Sequence, residues 1–68
     1  MDAISKEQRL RSLREDLEYY FEIADSSLRA GNFDVHYVQA GQFHRTATKI
    51  TALTGVDPRP PYVERARW

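Results

Sequence analysis

From His36 to Thr54, six apolar or small side chains recur at spacings of four, three, four, three and four: His36, Ala40, Phe43, Ala47, Ile50 and Thr54. A period near 3.5 keeps them on one face only if the backbone is helical, so this segment is the packing seam of an amphipathic helix. Gln42, Arg45 and Lys49 gather on the far side. A shorter pattern competes with it. Phe33, Val35 and Tyr37 alternate with polar neighbours, and Gln39 to Gln42 could turn a β-hairpin over residues 33–45. The helical pattern accounts for the longer stretch, and Gly41, near the edge of the seam, costs it about 1 kcal/mol relative to Ala while allowing a close backbone approach.

The preceding segment carries a matching stripe. At 100° per residue, Leu10, Leu13, Leu17, Tyr20, Phe21, Ala24 and Leu28 fall together. Ser5 with Gln8 forms a capping-box pattern, and Glu7 suits the positive end of the helix dipole. Gly31 supplies the left-handed residue that ends this helix, and Asn32 or Asp34 can cap the next. So short a connection makes the two helices antiparallel neighbours. The sequence therefore predicts an all-α antiparallel helical hairpin over residues 1–55, with helices at about 5–30 and 34–54. Gly55 ends the second helix, and Pro58, Pro60 and Pro61 send residues 56–68 away as an extended, polyproline-like C-terminal arm.

A chain of 68 residues buries little surface, and without cysteine it has neither disulfides nor thiolate zinc sites to staple it. The expectation is a bundle completed by another chain. Ten basic against ten acidic side chains leave zero formal charge, which argues against a partner that is nucleic acid or a membrane surface. No run of apolar residues is long enough to span a bilayer and no signal-peptide core follows a basic start, so the expected location is the cytoplasm, or a virion if the chain is phage-encoded.

Two features lie outside the hairpin's own core. Tyr19, Ile23 and Ala30 make a second apolar strip on the first helix, rotated roughly 100° from the main stripe. Either the arm folds back over this strip, or another protein covers it, or it is a simple exposed patch. Charge is also unevenly placed: residues 1–14 hold Lys6, Arg9, Arg11 and Arg14 against Asp2 and Glu7, whereas residues 15–25 hold five carboxylates and no cation. Two copies laid antiparallel would match basic half to acidic half. Intrahelical pairs such as Arg14 with Glu18 and Asp25 with Arg29 would equally use these charges.

His36 and His44 share a side of the second helix, but two turns separate them, and a histidine on a packing face is ordinarily a satisfied core residue. Ser26, Ser27 and the threonines at 46, 48, 51 and 54 have no partnered base, and Glu15, Glu18 and Glu22 lack a cleft for substrate. No catalytic, cofactor or metal residue is assigned, and the chain is not expected to be an enzyme. The residues expected to bind a partner are Tyr19 and Ile23, with Tyr62, Arg65, Arg67 and Trp68 on the arm, because aromatics and Arg favour protein hot spots.

Two helices joined by a tight turn resemble the hairpins of Rop-type plasmid copy-number proteins, which dimerise to four-helix bundles and bind RNA loops. Here the outer face carries Glu15, Glu18, Glu22 and Asp25 where that family is basic. The Gly31-Asn32-Phe33-Asp34 turn resembles that of a tetratricopeptide-type helix pair, without a second copy. An Arg-rich, cysteine-free chain ending in Thr54-Gly55 and a Pro/Arg/aromatic arm also resembles small structural or accessory proteins of actinobacterial phages. That resemblance implies a virion or assembly component. The function expected is thus a non-enzymatic interaction or structural module that self-associates, docks on a larger assembly, or both; the alternative is a small nucleic-acid-binding regulator or an inhibitor of a host protein.

Overall fold

The computed structural model describes residues 5–61 and 63, and they form an antiparallel pair of helices, α1 (Lys6–Arg29) and α2 (Phe33–Thr54), with no strand among the described residues. The helices differ from the sequence-derived bounds by one residue at either end of α1 and at the start of α2.

The start of α1 is held by the expected capping box. The Gln8 amide donates to Ser5 Oγ at 3.1 Å, and the Ser5 amide donates to Gln8 Oε1 at 3.3 Å. Its end is a Schellman motif: Asn32 N–H donates to Ser27 O at 2.8 Å and Gly31 N–H to Leu28 O at 3.1 Å, with Gly31 at φ +77°. Asn32 stands at the N-cap position of α2 but makes no side-chain cap hydrogen bond. Its ψ of 77°, set by the tight Schellman turn, falls short of the extended value a capping residue adopts. Asp34 in the first turn supplies the favourable charge instead. Gly55 ends α2 in the left-handed conformation.

The seam packs as spaced. His36, Ala40, Phe43, Ala47 and Ile50 are buried, and Thr54 is half-buried. Phe21 meets Phe43 with ring centroids 5.6 Å apart. His36 is a core histidine: Nδ1–H donates to Ala24 O at 2.8 Å, tying the helices together near the turn. Thr46 is buried off the seam, and its hydroxyl is satisfied by Gln42 O at 2.8 Å. Gln39 Oε1, by contrast, is buried with no hydrogen-bond partner among the described residues. Gly41 permits no close helix approach, contrary to expectation; a Cβ there would meet only Arg45 Nη2, at 3.8 Å.

The arm departs most from the sequence reading. It does not continue outward over its described residues. Asp57 Oδ1 accepts the Arg59 amide at 3.0 Å, a local turn that redirects the chain, and Val63 N–H donates to Pro60 O at 3.0 Å, a second turn. Between them Pro58 and Pro60 lie beside Leu17, Phe21 and Phe43. Val63 is fully buried in one cluster with Ala24, Ala40 and Phe43. Burying a valine contributes about 1.5 to 3 kcal/mol, which an extended arm would forgo.

Candidate protein-interaction surface

The arm defines two sides of the hairpin. On one, Arg59 links the arm to α2, with Nη1 3.2 Å from His44 Nδ1, while its other nitrogens engage the Asp57 carboxylate at 2.8 to 3.2 Å. The arginine can only donate, so His44 Nδ1 is the acceptor in this contact. His44 is thus part of a clip that holds the arm.

The other side is set by helix geometry. Phe21 packs toward the arm, and Tyr19 and Ile23 each lie two residues from it, so both point roughly 160° away. Tyr19 is 60% exposed, its ring edge-on to Tyr20 at 5.5 Å, and Ile23 is half-buried. The described part of the arm packs beside Leu17, Phe21 and Ala24 of the main stripe, and Tyr19 stays in solvent. Tyr62, Arg65, Arg67 and Trp68, the remaining expected partner-binding residues, lie outside the described residues.

More apolar surface is exposed near the interhelical turn than the sequence reading singled out. Phe33 is 56%, Tyr37 71% and Val38 59% exposed. Tyr37 and Val38 sit one and two residues past His36, about 100° and 200° off the seam, which was the available signal. Leu28, counted with the main stripe, is 37% exposed because it lies in the last turn of α1, where little of α2 lies opposite.

Charge remains segregated along α1. Of the two intrahelical pairs considered, Asp25 and Arg29 meet at 2.9 Å, whereas Arg14 and Glu18 form no ion pair. Arg preceding Glu by four residues is the weaker order on a helix. Arg9, Arg11, Glu15, Asp16 and Glu22 likewise have no ion-pair partner among the described residues.

For other chemistry the described residues offer little. No group of three or more His, Asp or Glu is placed to hold a metal ion. The threonine hydroxyls at 46, 48, 51 and 54 each donate to the carbonyl four residues earlier, at 2.8 to 3.0 Å. No described helix is long and apolar enough to cross a membrane. Fold and surface together define a two-helix hairpin closed on one side by its own arm. Compared with protein-family models, curated proteins and solved structures, the chain matches none.

Proposed function

We propose that this protein is a non-enzymatic interaction or structural module, which self-associates or docks on a larger assembly through the bare side of α1. The observation that supports this reading is Tyr19, 60% exposed beside a half-buried Ile23, on the side of α1 away from the described part of the arm. An aromatic and a branched aliphatic side chain close together on a rigid helix have the composition of a binding hot spot. Service in a virion or comparable assembly, the setting implied by the phage resemblance, requires nothing more than such a surface.

The test is direct. Tyr19→Ala should leave the helical content and melting temperature nearly unchanged while weakening association, whether with itself or with a partner recovered from the native host. Association insensitive to both Tyr19→Ala and Ile23→Ala overturns the assignment of this surface.

A further inference from the structure

Beyond that reading, and on the other helix, we infer that the outer face of α2 binds a second copy of this chain, laid antiparallel with α2 against α2 so that Val38 of each copy seats on Gly41 of the other. Four residues carry the inference: Asp34, Val38, Gly41 and Arg45.

All four lie on one face. They are spaced by four, three and four residues, and at 100° per residue they fall within about 60° of one another, opposite the seam of His36, Ala40, Phe43, Ala47 and Ile50. The described part of the arm lies clear of them, since it reaches α2 at Ala40, Phe43 and His44. Asp34, Val38 and Arg45 are exposed and Gly41 is half-buried. Exposed Tyr37 flanks the same stripe.

Within the hairpin Gly41 has no packing role. A glycine inside a helix costs about 1 kcal/mol relative to alanine, and a Cβ there would meet only Arg45 Nη2, at 3.8 Å. What the missing side chain leaves is a hollow on an outward helix face, one turn from an exposed valine. A knob beside a hollow is the arrangement by which two helices interdigitate.

Charge on this same face selects the occupant. Asp34 stands one turn before the valine and Arg45 one turn after the glycine, and neither has an ion-pair partner among the described residues. The helix dipole accounts for an acid at Asp34 but not for a base in mid-helix. Reversed end to end, the order acid, valine, glycine, base becomes base, glycine, valine, acid, so the stripe is its own complement. With a two-fold axis passing between positions 39 and 40, Asp34 faces Arg45 of the second copy and Val38 faces its Gly41. Symmetry makes each contact twice. A parallel pair would instead oppose acid to acid and valine to valine. The contact from 34 to 45 runs along about 17 Å of helix, at the small end for a specific interface, so the dimer should form only at high protein concentration.

Sedimentation of the intact chain up to about 1 mM tests this, with circular dichroism confirming that each variant remains helical. The wild type should approach twice its 7.9 kDa mass at the top of the series. Val38→Glu, at an exposed position, should abolish dimerisation by placing an unpaired carboxylate in the contact. Asp34→Arg and Arg45→Asp, each alone, should weaken it about 10-fold by opposing like charges twice. Mixed together, these two variants should pair as tightly as the wild type, because every contact between positions 34 and 45 again joins opposite charges. Tyr19→Ala should leave the dimer unchanged, so that the α1 surface is judged separately, on a partner recovered from the native host. A wild-type monomer throughout the series, or a dimer indifferent to Val38→Glu, overturns the inference and leaves the α1 reading standing. A dimer dissolved by Tyr19→Ala seats the second copy on α1 and overturns the inference in favour of that reading. A mixture that pairs no more tightly than either variant alone overturns the antiparallel register.

Discussion

The two helices are of nearly equal length, yet α2 buries six of its side chains and α1 buries only Ala24. The difference arises from where the arm returns. Helix α2 has α1 along its seam and receives Arg59 at His44, so its buried surface widens beyond the heptad stripe. Among the described residues, helix α1 meets α2 and the arm on adjoining sides. Half-buried Leu10, Leu13 and Leu17 complete its inner stripe, while Tyr19 and Ile23 begin an outer one. Helix α1 thus has a well-formed cap at each end, two stripes, and charged side chains that find no ion-pair partner among the described residues.

This asymmetry predicts a steep gradient of mutational effects. Phe43→Ala, at the junction of both helices and the arm, should destabilise the fold by about 3 to 5 kcal/mol, read from denaturant unfolding; a loss below 1 kcal/mol would mean that α2 is not the structural spine. Val63→Asp should expel the arm and cost roughly 2 to 3 kcal/mol, with Phe43 and Leu17 becoming accessible to solvent. If it leaves stability untouched, the arm contributes no core. Ser5→Ala should cost about 1 kcal/mol by removing the cap of α1, with amide exchange rising in the first turn. Gly41→Ala should move the other way, stabilising by up to about 1 kcal/mol, since a helical Gly is replaced where a Cβ fits. Smallest of all, Tyr19→Ala should shift the stability of the isolated chain by no more than about 0.5 kcal/mol, because its ring is mostly in solvent.

The same asymmetry separates what the sequence made legible from what it hid. Periodicity is a local property, so the seam of α2, the inner stripe of α1 and the Schellman glycine could all be read from residue spacing. The arm could not. Three prolines forbid a continued helix but do not say where the chain goes, and its course depends on a turn at Asp57, a clip between Arg59 and His44, and a pocket for Val63. None of these follows from neighbours in sequence. The missing Asn32 cap has a similar origin, since the backbone angles imposed by the preceding turn override the residue's preference. Of the residues expected to bind a partner, Tyr19 is exposed and Ile23 half-buried on the outer stripe that periodicity marked, because a second helical stripe is as periodic as the first.

The most direct measurement is a dilution series of the intact chain followed by residue-resolved NMR. The account predicts that resonances of Tyr19 and Ile23 shift with concentration or on addition of a partner recovered from the native host, while those of Phe43, His44 and Val63 stay fixed. Spectra unchanged by both, or shifts centred on the arm and its clip, would contradict it.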